Sequence, residues 1–167
     1  MIHLYLIRHA ISAERDSVKY PDDERRPLTQ EGMRRFRRAA GGVAHLAGKV
    51  DFLLTSPLLR AVQTAVILHD VAGMPKPRQE PVLSPDHTSA QVLEMLGTYQ
   101  AGSIVIVGHE PGLGRLLSAC TTGADDGIQV KFRKGGAACV SFEAAVSAEW
   151  GQLEWLLPPK MLRKLGD

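Results

Sequence analysis

The chain alternates between two hydrophobic rhythms. Ile2-His3-Leu4-Tyr5-Leu6-Ile7 is short, rich in β-formers and almost continuously apolar, which predicts a strand buried on both faces of a parallel sheet and ending at Arg8-His9. After a polar stretch holding Pro21 and Pro27, the apolar residues Met33, Phe36, Ala40, Val43, Ala44 and Ala47 recur at helical spacing. Thr29 stands where an N-cap belongs, with Glu31 near the positive end of the helix dipole. The opposite face carries Arg34, Arg35, Arg37 and Arg38 and is read as a solvated basic surface, with an acidic partner as the alternative.

The same two rhythms repeat downstream. Asp51 to Thr55 predicts a second strand, and Leu58, Leu59, Val62, Ala65, Val66 and Leu68 form a helical stripe with Pro57 in its first turn, where a missing N–H costs nothing. Gln79 to Leu83 reads as a short strand, Gln91 to Leu96 as a helix, and Ser103 to Val107 as a strand running into Gly108-His109. Pro111 opens a helix with Leu113, Leu116 and Leu117 inward, and Ala137 to Phe142 and Gln152 to Leu157 read as a closing antiparallel pair. Alternating strands and helices predict an α/β fold: three layers, a mostly parallel central sheet, and helices on both faces. Ligands of such sheets bind beyond the carboxyl ends of the strands.

Length and composition narrow the picture. At roughly 100–200 residues per domain, the 167 residues are expected to form one domain over 1–167. Twenty Lys and Arg against eighteen Asp and Glu leave a net charge of +2, too little to predict a nucleic-acid or membrane partner. No run approaches the roughly 18 apolar residues that span a bilayer. The two cysteines, Cys120 and Cys139, do not make a disulfide framework, and a reducing, cytoplasmic location is expected.

The polar residues at the strand ends carry the chemistry. Arg8 and His9 follow the first strand, Arg60 lies in the first helical turn after the second, and His109 follows the strand at 103–107. Guanidinium forks match phosphate oxygens, helix N-termini add free amides, and imidazole serves as nucleophile or proton carrier near neutral pH. The set predicts a phosphoryl-transfer pocket. His3, His45, His69 and His87 have no comparable placement.

Rival phosphate chemistries fail on spacing. The nearest approach to a P-loop, Val43 to Lys49, lacks the first glycine and continues into Val50. Neither cysteine is followed by an activating arginine, and no metal-ligand spacing occurs, so neither a thiol nucleophile nor a metal or other cofactor is expected. Histidine remains as the candidate nucleophile.

Three segments carry a family resemblance: Leu6-Ile7-Arg8-His9-Ala10, Ser56-Pro57-Leu58-Leu59-Arg60-Ala61-Val62-Gln63-Thr64-Ala65, and Val107-Gly108-His109-Glu110-Pro111. Together they resemble the histidine phosphatase superfamily, which includes the phosphoglycerate mutases. Arg26-Pro27-Leu28-Thr29, Lys134-Gly135-Gly136 and Leu157-Pro158-Pro159-Lys160 are similar to its phosphohistidine phosphatase SixA branch. The resemblance implies a phosphoglycerate mutase-like fold and a metal-independent phosphatase. His9 would be the nucleophile, with Arg8, Arg60 and His109 binding phosphate and His109 serving as a protonated donor. Ala10 stands where the family most often has glycine, which implies a changed pocket shape.

No carboxylate aligns with the family's proton donor. Glu110, next to His109, is the nearest alternative, with Asp86 and Glu80 behind it. Such a site suits a good leaving group, so the substrate expected is a phosphohistidine in a protein, with small phosphate esters or anhydrides second. A non-catalytic phosphate-binding module is the alternative of another class. A mutase is disfavoured because the chain has little room for the insertions that would hold a phosphorylated cofactor.

Overall fold

Six strands, β1 (Ile2–Arg8), β2 (Phe52–Thr55), β3 (Arg78–Gln79), β4 (Ser103–Gly108), β5 (Ala137–Phe142) and β6 (Gln152–Leu157), form one sheet in the order β3-β2-β4-β1-β5-β6. The computed structural model describes residues 1–167. The first four strands in that order are parallel; β5 runs antiparallel to both β1 and β6. Residue alternation divides the core. Tyr5, Ile7, Leu53, Val105 and Val107 face one side, where α1 (Gln30–Ala47), α2 (Leu59–Ala72) and α5 (Pro159–Leu165) pack. Leu4, Leu6, Leu54, Ile104 and Ile106 face α3 (Ser89–Gly97) and α4 (Gly112–Thr122). The architecture is therefore the expected three-layer α/β arrangement.

Local chemistry sets the helix ends. Thr29 caps α1, its Oγ1 accepting from Gly32 N at 2.9 Å, an interaction worth about 1 kcal/mol. Thr88 and Gln91 form a reciprocal capping box, which starts α3 at Ser89, ahead of the expected Gln91. Pro57, expected in the first turn of α2, lies in the preceding bend: Ser56 Oγ accepts from Leu58 N, so Leu58 becomes the N-cap and the helix opens at Leu59.

The expected strand from Gln79 to Leu83 is also shorter than its sequence suggests. Pairing with β2 covers only Arg78 and Gln79, and Pro81 to Leu83 form a 3-10 turn, because Pro81 has no N–H to offer the ladder. α5 carries too few apolar positions to announce itself. It is held by Leu162, fully buried, against α1 at Gly42, where a Cβ would sit 2.0 Å from the Leu162 carbonyl oxygen. No helix is long and apolar enough to cross a membrane.

Candidate active site

The switch in strand order at β1 brings three strand ends together. β1 delivers Arg8 and His9, and β4 delivers His109 immediately after Gly108; His9 N donates to Gly108 O at 3.1 Å. Beyond β2, the bend at Ser56 leads into α2 with Arg60 in its first turn. The rings of His9 and His109 are 5.2 Å apart. A cavity of about 400 Å³ collects the four expected residues, Arg8, His9, Arg60 and His109, together with Glu110. Ser12, Glu14, Arg15, Arg26 and Lys134 also line it.

The main chain fixes the tautomer of His9. Its Nδ1 lies 2.7 Å from the Ala10 carbonyl oxygen, which can only accept, so Nδ1 carries the proton and Nε2 keeps its lone pair. The His9 pKa is pushed down to about 3, chiefly by burial, with the charges of Arg60, Arg8 and Lys134 adding to it against the opposing Ala10 hydrogen bond. Neighbouring cations are thus secondary to desolvation. Ala10 does not distort this segment: its φ is not positive, its side chain joins the core, and its N–H donates to Thr64 Oγ1 at 3.1 Å.

His109 differs from expectation in its charge. Burial holds its pKa near 3, with His9, Arg60 and Arg8 adding repulsion, so it is a neutral imidazole rather than a protonated donor. Nε2 lies 2.8 Å from Ser56 Oγ. When that hydroxyl donates to Nε2, the ring proton stands on Nδ1, which is buried and has no protein partner. A neutral ring still offers one N–H to an anion.

The arginines are aimed from behind. Arg8 Nη1 donates to Phe132 O at 2.8 Å; Arg60 donates from Nη1 to Asp23 O at 2.9 Å and from Nη2 to Asp23 Oδ2 at 3.2 Å. Asp23 Oδ1 accepts from Arg26 Nε at 2.9 Å, and Arg26 Nη1 reaches Ser12 Oγ and the Ala13 carbonyl. Arg8 Nε and Arg60 Nε are buried without a partner.

The proton-donor alternatives separate by position. Glu110 lines the cavity, but its Oε2 accepts from Gly114 N at 3.0 Å and its Oε1 from Phe132 N at 3.1 Å, so both oxygens serve the main chain. Glu80 lies elsewhere and accepts from the Tyr99 hydroxyl; Asp86 is exposed and does not line the cavity. Glu14, the second carboxylate of the lining, is exposed. The two thiols are buried, and desolvation raises both to about 12.

Asp23, Ser12, Arg26 and Lys134 were not assigned from the sequence. Arg26 and Lys134 stand in segments already notable there, Arg26-Pro27-Leu28-Thr29 and Lys134-Gly135-Gly136. Gly135 N donates to both Arg8 O and His9 O, which carries Lys134 to the nucleophile; Gly135 takes φ +76°, a backbone conformation that suits glycine.

Comparison with known proteins places the chain among relatives of the same fold. The family model described as "Histidine phosphatase superfamily (branch 1)" matches residues 4–84. An uncharacterized protein of Picosynechococcus sp. is 36% identical over 138 residues, covering 81% of this chain and 82% of that one. A structure of the protein histidine phosphatase SixA complexed with tungstate superposes with a TM-score of 0.79 at 24% identity, covering 96% of this chain and 99% of the other. A mycobacterial glucosyl-3-phosphoglycerate phosphatase complexed with VO3 gives a TM-score of 0.68 at 16% identity over 95% and 100% of the two chains.

Proposed function

The chain belongs to the histidine phosphatase superfamily and has the phosphoglycerate mutase-like fold, and from that premise we propose that it is a metal-independent phosphatase working through His9 on protein phosphohistidine. One observation carries the reading: His9, whose Nδ1 is committed to the Ala10 carbonyl and whose Nε2 keeps its lone pair, lines a single cavity with Arg8, Arg60 and His109. That sets a candidate nucleophile beside side chains suited to an oxyanion.

In the proposed reaction the substrate phosphoryl group sits among Arg8, Arg60 and His109. The Nε2 lone pair attacks phosphorus, a P–N bond to His9 forms as the bond to the leaving group breaks, and the departing atom takes a proton from solvent. Water then attacks phosphorus, the P–N bond breaks, and inorganic phosphate leaves with Nε2 restored. Fixed cations supply the charge stabilisation that Mg²⁺ provides in other phosphoryl transferases.

The substrate class rests on leaving-group chemistry. Glu110 is occupied by two amides, and the remaining lining carboxylate, Glu14, is exposed. A site without a committed general acid suits a phosphoramidate, whose imidazole leaves more readily than an alkoxide. The tungstate-bound protein histidine phosphatase of the same fold supports that choice. The test is metal-free turnover of p-nitrophenyl phosphate, a histidine-phosphorylated protein and an alkyl phosphate, side by side. Turnover of the first two with little of the third is expected. Rapid hydrolysis of the alkyl phosphate with the phosphoprotein untouched would overturn the substrate, and no turnover of any would leave a phosphate-binding module.

A further inference from the structure

A second cavity of about 380 Å³ lies on the other side of the 133–135 segment, between the N-terminal half of α1 and the start of α5. Its floor is apolar, with Phe36, Ile11, Pro158 and Pro159 among its lining. Its polar lining is entirely cationic: Arg35, Arg133, Lys134, Lys160 and Arg163, with no carboxylate. Arg35 shares Glu31 with Arg34, whereas none of the other four is in an ion pair. In a chain of net charge +2, this groove concentrates positive charge that the protein does not neutralise itself.

The groove adjoins the catalytic pocket across the 133–135 segment. Lys134 lines both cavities, and Ala10, whose carbonyl orients His9, lines the groove. Gly135 fastens the shared wall to Arg8 and His9 through its bifurcated N–H. A ligand lying in the groove is therefore separated from the cavity that holds His9 by one wall, at Lys134.

The donors differ in kind from those around His9. Arg133, Lys134 and Lys160 are exposed, and no nitrogen of the groove is buried without a partner, in contrast to Arg8, Arg60 and His109. A compact polyanion would call for buried, converging donors like those. Solvated cations on three separate elements, set around an apolar floor, fit carboxylates strung along a chain that also carries apolar side chains.

We propose that this groove docks an acidic segment, with interspersed apolar residues, of the phosphoprotein substrate, an inference that rests on the phosphatase reading above. The docked segment presents its phosphorylated residue to His9 from the Lys134 side.

The test is fluorescence anisotropy with a labelled, unphosphorylated peptide alternating Glu or Asp with Leu, in the presence of vanadate to fill the catalytic pocket. Binding to wild type that weakens roughly tenfold in the double variant Lys160→Glu, Arg163→Glu, and weakens with added salt, is expected. Circular dichroism checks that the variant is folded, and Lys160→Gln, Arg163→Gln gives an intermediate loss. No binding by a wild type that hydrolyses p-nitrophenyl phosphate overturns the docking site and leaves the phosphatase reading standing. Equal displacement of the peptide by tripolyphosphate or by an oligonucleotide overturns the acidic-polypeptide assignment. A wild type that binds the peptide but turns over no phosphate compound overturns the phosphatase reading, and with it the claim that the docked chain is a substrate.

Discussion

Arg60 donates twice to Asp23, to its carbonyl oxygen at 2.9 Å and to its Oδ2 at 3.2 Å, so a partly exposed aspartate fixes a buried guanidinium in the wall of the cavity that His9 lines. Because the main-chain contact survives truncation of the side chain, Asp23→Ala loosens Arg60 without removing it. Steady-state turnover of p-nitrophenyl phosphate is expected to fall roughly tenfold in Asp23→Ala and roughly a hundredfold or more in Arg60→Ala. Arg34→Ala, whose partner is the exposed Glu31, leaves the rate unchanged. Equal losses at Arg34 and Arg60 would refute the assignment of Arg60 to the pocket.

His9→Ala abolishes turnover, since both thiols are held protonated by burial and no other nucleophile is set up like His9. With labelled substrate, a base quench retains phosphate on wild-type His9 and an acid quench loses it, as a P–N bond requires. Acid-stable label would assign the intermediate to another residue. Wild-type activity persists in EDTA.

Glu110→Gln separates anchoring from proton donation. The amide keeps one acceptor oxygen but sets an NH2 group against a backbone N–H, at Gly114 or at Phe132, costing about 1–3 kcal/mol of stability. Activity falls by the same factor for fast and slow leaving groups. A loss confined to slow leaving groups would make Glu110 the general acid.

Stability follows the two buried histidines. Both fold with pKa values pushed to about 3, below the ordinary imidazole value of 6.5, so between these limits the unfolded chain binds more protons than the folded one. Their contribution is therefore fully present above pH 6.5 and is lost progressively as pH falls toward 3. Each histidine adds a slope of up to about 1.4 kcal/mol per pH unit in that window. Urea unfolding measured across it becomes flatter in His109→Gln, and an unchanged slope would mean that His109 is not buried neutral.

Much of this was readable in the residues themselves. Ile2 to Ile7 and Ser103 to Val107 are apolar on both faces, so their places in the middle of the sheet were legible, and with them the strand-end positions of His9 and His109. Arg60 was legible because the bend at Ser56 leaves few residues between strand and helix. Asp23 was not: it acts through a turn of polar residues whose neighbours are fixed only by tertiary packing. The charge of His109 was also hidden, since its sequence neighbours say nothing of the burial that neutralises it. α5 escaped because a short helix with one fully buried residue, Leu162, has too little periodicity to detect.

The strand that carries Arg8 and His9 is flanked by β4 and β5, which lie about a hundred residues and more further along the chain. On the ribosome, β1 emerges well before either neighbour, which it meets only once residues 103–142 have followed it. Pairings of such long sequence separation form late and slow the search for the native state. Alignment of Arg8 and His9 thus waits on closure of the sheet around β1, and a fragment ending before β4 holds both residues yet has no ladder to align them.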